Sequence, residues 1–371
     1  MARMPTVDDV AQAAQVSRQT VSNVINTPAI VREQTRSRVQ EAIDRLGYRS
    51  NASARRLRTR KSSTIGLRLD PLRDGISGAV LDRFVHKLAE QADARGLRVM
   101  IFTADGPEDE LAHIRRLHDG SDIDAYIVIA TFHGDPRIAW LLDHDVPFVS
   151  FGRPWGAALE NPRHRWVDVD GRAGVRDATT RLRAAGCRTV GYIGWPSPSG
   201  TGDERRGGWQ EACGLSNDDQ FRYHVITDDG VDQGATSARH LLSLSTPPDA
   251  IVCASDSLAL GASMAAAEAG FGDLPIIGFD NTPVAAAVGL SSIDQPLDEV
   301  VSVALAMLFG PEGDVVVPNP GSGPGSRPDG DPDSTSKISP NSNEEPTNRL
   351  LVPRLVERRS TRRAFDETTG A

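Results

Sequence analysis

TVDDVAQAAQVSRQTVSNVIN, residues 6–26, holds two short helix patterns on either side of a tight turn. Thr6 is placed to cap the first, with Asp9 three residues on and Asp8 also in the first turn, where carboxylates meet the positive end of the helix dipole. Val7, Val10, Ala11 and Ala14 share one face at helical spacing. Gln15 and Val16 make the turn. Ser17 then caps a second helix whose Val21, Val24 and Ile25 point inward, while Arg18, Gln19, Ser22 and Asn23 point outward at its N-terminal end. Arg, Gln and Asn pair bidentately with base edges, and Ser bonds bases or phosphates. Two helices in this relation present the second to the major groove of DNA. Thr6, Ser17 and Thr20 complete the candidate DNA-contacting row. The bland alternative is a solvated polar helix face, since short amphipathic helix pairs are common.

Working outward, residues 33–46 form a third helix pattern, with Val39, Ile43 and Leu46 as its stripe and Gly47 as its stop. Residues 51–58, NASARRLR, read as one short helix capped by Asn51, with Ala54 and Leu57 on one face. Eight residues are too few for a stable isolated helix in water, so this one is expected to fold on DNA. Leu57 would wedge into the minor groove, with Arg55, Arg56 and Arg58 near phosphates. A basic flexible linker is the alternative. Residues 1–64 hold 12 Lys and Arg against 5 Asp and Glu, whereas the remainder holds 29 against 45. A basic head on an acidic body fits a chain that touches nucleic acid with one end only.

From residue 63 the pattern alternates apolar runs with helical stretches. The runs are TIGLRL (64–69), RVMIFT (98–103), AYIVIA (125–130), PFVSF (147–151), TVGYIG (189–194), AIVCAS (250–255) and PIIGF (275–279). Helix patterns lie between them, among them 80–94, 173–185 and 258–269. Such alternation means α/β architecture, parallel sheets covered on both faces, and the series is long enough for two lobes. Ligands bind at the carboxyl ends of such strands, here in the cleft between lobes. Strand-end residues are therefore the candidate ligand contacts: Asp70, Arg153, Arg205, Asp256, Asp280 and Gln295. Two arginines, three carboxylates and an amide suit a polar ligand with several hydroxyls. Each carboxylate could equally cap a helix, Asp280 most of all, because Asn281, Thr282 and Pro283 follow it.

Here the sequence resembles the lactose-repressor and purine-repressor (LacI) family of bacterial transcription regulators. The resemblance rests on residues 6–26, on VREQTRSRVQEAIDRLGY (31–48), and on the N-x-x-A-x-x-L spacing of Asn51, Ala54 and Leu57. It continues in V-x-V-D-G (167–171), R-x-x-G-W (205–209), ASDSLALG (254–261), IIGFDN (276–281), IDQP (293–296) and LLVPRLVERRST (350–361). Ser50 departs from the pattern, which usually has proline there. The resemblance implies a core like that of the periplasmic sugar receptors. It also implies a homodimer on a palindromic operator, with paired hinge helices inserting leucines at its centre. Asp70, Arg153, Arg205, Asp256 and Gln295 fall where family members commonly touch effector, Arg205 and Asp256 most firmly. Family effectors are mostly sugars, sugar phosphates or nucleobases. The carboxylates here favour a neutral sugar, since they would repel a phosphate.

The domain plan that follows has a helix-turn-helix domain over 1–50 and a hinge helix and linker over 51–63. A two-lobed core spans 64–310, with lobe 1 about 64–165 plus 296–310 and lobe 2 about 166–295 plus 348–361. The 37 residues 311–347 include 8 Pro, 5 Gly and 6 Ser, the composition of a disordered insertion. The last strand, beyond that insertion, should cross between lobes, and 362–371 should be a frayed tail. Cys187, Cys213 and Cys253 are widely spaced without a CxxC or Cys/His cluster, which points to core residues rather than zinc. No apolar run approaches the roughly 18 residues of a membrane span, and the N-terminus lacks a secretory signal's apolar core, which points to the cytoplasm. Catalysis finds little support. The loop at 200–208 lacks the GK[ST] ending of a phosphate loop, and neither G-x-S-x-G nor HExxH occurs. No cofactor or metal is expected. The expectation is a repressor controlled by a small-molecule effector, with control by a partner protein or a sugar-modifying enzyme as alternatives.

Overall fold

The computed structural model describes residues 5–48, 62–69, 78–120, 122–156, 161–310, 315 and 348–366. The chain divides into two compact units, Met1–Ser62 and Ser63–Ala371. In the first, α1 (Val7–Ala14), α2 (Arg18–Asn26) and α3 (Glu33–Leu46) close around Val10, Ala11, Ala14, Val21, Val24, Val39 and Ala42. The start and stop signals act as the sequence predicts. Thr6 and Asp9 form a reciprocal capping box, Ser17 accepts from the Thr20 amide, and Gln15 and Gly47 end their helices in left-handed conformations. Ile25 departs from expectation: it remains 37% exposed rather than buried. Three short helices enclose too little volume to bury every apolar side chain.

The second unit contains two six-stranded sheets. The first, in order β11-β5-β4-β3-β1-β2, comprises β1 (Thr64–Leu69), β2 (Arg98–Thr103), β3 (Ala125–Ile129), β4 (Phe148–Phe151), β5 (Trp166–Val169) and β11 (Arg349–Leu351). The second, in order β12-β10-β9-β8-β6-β7, comprises β6 (Val190–Gly194), β7 (His224–Ile226), β8 (Ala250–Cys253), β9 (Ile276–Phe279), β10 (Ser291–Asp294) and β12 (Arg354–Val356). All pairings are parallel except β12 against β10. Lobe 1 carries α4 (Gly78–Asp93), α5 (Pro107–Asp119), α6 (Pro136–Asp143) and α13 (Leu297–Leu308). Lobe 2 carries α7 (Gly171–Ala184), α8 (Thr201–Ala212), α9 (Asn217–Tyr223), α10 (Val231–Leu242), α11 (Asp256–Glu268), α12 (Pro283–Val288) and α14 (Arg359–Asp366).

All seven strands expected from apolar runs form, and the full burial of β3, β6, β8 and β9 explains why these read as continuous runs rather than alternating ones, whereas the edge strand β2 is only partly buried. The boundary between lobes differs from expectation. Trp166–Val169 pairs with β4 and so belongs to lobe 1, and the crossing follows it. The segment 348–361 is likewise shared, because β11 joins the first sheet and β12 the second. Residues 362–366, expected to fray, continue α14, whose Thr361 is buried against Ser291. The hinge positions Asn51, Ala54, Arg55, Leu57 and Arg58, the insertion 311–347 apart from Val315, and 367–371 lie outside the described residues. Among the described residues no helix is long and apolar enough to cross a membrane.

Candidate DNA-reading face and effector cleft

On the first unit, the polar end of α2 is knit together internally. The Arg18 guanidinium pairs with Asp8 of α1, and this hydrogen bond raises its pKa further. Gln19 Nε2 donates to Asn23 Oδ1 at 2.9 Å, and the Ser17 and Thr20 hydroxyls lie 2.9 Å apart. Thr6 Oγ1 donates to Asp9 Oδ2 at 2.7 Å. The exposed pairs of Arg18, Gln19, Ser17 and Thr20 are cheap to exchange for base or phosphate contacts, because surface pairs contribute little on their own.

In the second unit, the carboxyl ends of lobe 2's strands bring three predicted residues together. Arg205, on α8, donates from Nη1 to Ala254 O at 2.6 Å and places Nη2 3.7 Å from Asp280 Oδ1. Gln295 Nε2 donates to the same Asp280 oxygen at 2.7 Å. The Arg205 guanidinium lies 3.6 Å from the Phe279 ring centroid and 5.1 Å from that of Trp195, within cation–π range of both. Gly171 makes room for its stem, since a Cβ there would lie 3.0 Å from Arg205 Cγ. Burial pushes the Asp280 carboxyl up in pKa, while Arg205 and Gln295 pull it down. Asp280 does not cap a helix: Thr282 caps α12, accepting from the Ala285 amide. Its backbone instead turns at φ +106°, followed by Asn281 at +48°, a left-handed pair that non-glycine residues adopt only when held.

Asp256 lies beneath this shelf. It is 2% exposed, with Oδ2 accepting from Thr282 N at 2.7 Å and Oδ1 from Ser292 Oγ at 2.6 Å. Its carboxylate ties the start of α11 to the turn after β9 and to Ser292 of β10. The neighbouring Ser255 caps α11 and bonds Asp229. Arg153 stands on lobe 1, its Nε 2.8 Å from Asp168 Oδ2 and its Nη1 3.5 Å from Glu204 of lobe 2. Asp70 lies outside the described residues.

Several neighbours escape sequence reasoning. Trp155, under Arg153, packs so closely on lobe 2 that a Cβ on Gly200 would lie 2.4 Å from its ring. Trp195, directly after β6, donates to Asp229 at 3.2 Å. Both tryptophans follow predicted strands, so the strand-end rule applied to aromatics as well as to charges would have found them. Asp229 follows β7, a three-residue strand too short to leave a periodic signal. Ser199 Oγ and Arg205 Nε are buried without a hydrogen-bond partner, as groups reserved for a ligand or water are.

Residues 6–51 match the model for bacterial regulatory proteins of the lacI family, and 179–313 match a periplasmic binding protein-like domain. The regulator AglR of Rhizobium meliloti is 34% identical over 73% of this chain and 76% of its own. Catabolite control protein A of Priestia megaterium is 30% identical over 82% and 91%. A structure titled as a complex of the transcriptional regulator CelR with cellobiose superposes with a TM-score of 0.63 at 25% identity, covering 96% of this chain and 99% of that one. The lac repressor dimer bound to operator and an anti-inducer has the same fold, with a TM-score of 0.72 at 21% identity over 97% and 99%. A helix-turn-helix unit joined to a two-lobed binding-protein core defines a DNA-binding transcriptional regulator. The chain belongs to the LacI family of bacterial transcriptional regulators.

Proposed function

We propose that this regulator is a cytoplasmic repressor that binds a palindromic operator as a homodimer and releases or grips it in response to a neutral sugar. Arg18, Gln19, Ser22 and Asn23 read each half-site, with Thr6, Ser17 and Thr20 positioning the helix. From the sequence pattern, Asn51, Ala54, Arg55, Leu57 and Arg58 form the hinge element, with Leu57 as its wedge. The observation that carries the sugar reading is the shelf of Arg205, Asp280 and Gln295 beneath Trp195, faced by Arg153 and Trp155 of lobe 1. Polar groups fix the hydroxyls of a sugar, and aromatic faces cover its C–H surface. Asp70 is the lobe 1 carboxylate expected to join them. The cellobiose held by CelR supports a disaccharide as the first class to test. Effector binding acts by favouring one lobe arrangement over another.

Selection of bound sequences from random duplex DNA by the full chain tests the first half of the proposal. A palindrome of two half-sites with a central CG step is expected; no enrichment, with or without a sugar mixture, refutes it. The operator then permits a screen of mono- and disaccharides for altered affinity. No response to any neutral sugar would refute the effector class. Leu57→Ala should weaken operator binding far more than non-specific binding, and equal losses would remove the wedge.

A further inference from the structure

Lobe 1 reaches lobe 2 through a second arginine besides Arg153. Arg83 lies on α4, whose Phe84, Leu88 and Ala92 are buried in the lobe 1 core. Its Nη1 donates to Asp280 O at 3.0 Å and Asn281 O at 3.2 Å, and its Nη2 to Asp294 Oδ1 at 3.3 Å. Those two carbonyls belong to the left-handed turn that ends β9. Lobe 2 fastens the same turn from below. Asn281 Nδ2 donates to Asp294 at 3.0 Å, the Asn281 amide to Ser292 Oγ at 2.9 Å, and the Thr282 amide to Asp256 at 2.7 Å. Asp294 also pairs with Arg354 of β12, the strand that follows the last crossing between lobes.

We infer that Arg83 is a positioning residue that latches lobe 1 to the effector shelf and couples occupancy of the cleft to lobe closure. Asp280 has its carboxylate toward Arg205 and Gln295 and its carbonyl on Arg83. A ligand that re-seats the carboxylate must move the backbone that Arg83 holds. The planar guanidinium spans two carbonyls and a carboxylate, which a lysine ammonium on its flexible stem cannot. The coupling role rests on the proposed effector cleft; the latch itself does not.

Amide hydrogen exchange on the full-length protein tests the latch without any ligand. Arg83→Ala should speed exchange of the Asp280, Asn281 and Thr282 amides at least fivefold while leaving the β8 amides in the lobe 2 core unchanged. Arg83→Lys should restore part of that protection, and Lys87→Ala, one turn along α4, should leave residues 280–282 as they are. Unchanged exchange at 280–282 in Arg83→Ala, or equal acceleration throughout lobe 2, overturns the latch. Operator affinity with and without cellobiose then tests the coupling. A wild-type response that Arg83→Ala reduces at least threefold is expected, and an equal response in both overturns the coupling. Cellobiose acting on neither would count against that sugar as effector, and the exchange result would still decide the latch.

Discussion

Asp256→Asn separates a buttress from a ligand contact. The carboxylate sits at the start of α11, buried, with one oxygen accepting from the Thr282 amide and the other from the Ser292 hydroxyl. Gly278 leaves it space, since a Cβ there would lie 2.2 Å from Oδ1. Burial lifts its pKa from 3.8 to about 6, against the opposing pull of Ser292 and Thr282. The raised value means that the native state favours the protonated form. Below about pH 3 the carboxyl is protonated in both native and unfolded chains, and its full contribution to stability is present. As pH rises the unfolded chain ionises first, so the contribution falls, and the loss is complete once pH passes the native value of about 6. A rise of that size corresponds to roughly 3 kcal/mol. Asparagine does not titrate, and it can accept from the Thr282 amide while donating to the rotatable Ser292 hydroxyl. The stability of Asp256→Asn relative to wild type should therefore increase by roughly 2.5 kcal/mol between pH 4 and pH 7.5, read by urea unfolding of both proteins across that range. A pH-independent difference would refute the burial argument. The effector response of the variant then decides whether the carboxylate also touches the ligand, and an unchanged response would leave it a buttress alone. Loss of that response in a variant of normal stability would place Asp256 on the ligand.

Arg205→Lys should weaken sugar binding at least about tenfold, because a lysine cannot reproduce the planar fork over Phe279 and Trp195; titration calorimetry with the responding sugar measures it, and unchanged affinity would exclude Arg205 from the site. Asp8→Ala frees Arg18 from its pair and should steepen the salt dependence of DNA binding by about one released ion. An unaltered slope in fluorescence anisotropy would mean that Arg18 does not reach phosphate. Gly261→Ala should cost about 3 kcal/mol or more, visible as a lowered Tm, because its Cβ would lie 1.8 Å from Val231 O where α10 and α11 meet.

The sequence by itself determined the elements and the ends at which chemistry could occur. Thr6, Ser17 and Gly47 act through groups within a turn or two of themselves, and the buried strands announce themselves as apolar runs, so local pattern was enough. Arg205, Asp280 and Gln295 were legible because α/β strands deliver their carboxyl-end residues to one rim. Tertiary structure alone decided what each of these side chains faces. Asp256 and Asp280 follow similar strands, yet one is held by the Thr282 amide and the Ser292 hydroxyl and the other turns toward Arg205. Ile25 lies on an apolar stripe, but a core of three short helices leaves it exposed. Trp166–Val169 pairs with β4 because the chain crosses between lobes after that strand rather than before it. Arg83 and Asp280 meet across 197 positions of sequence, joined only because two sheets share a cleft that the chain crosses three times. Short-range periodicity carries no trace of such a contact, since the backbone hydrogen bonds and burial that create it belong to neither segment alone.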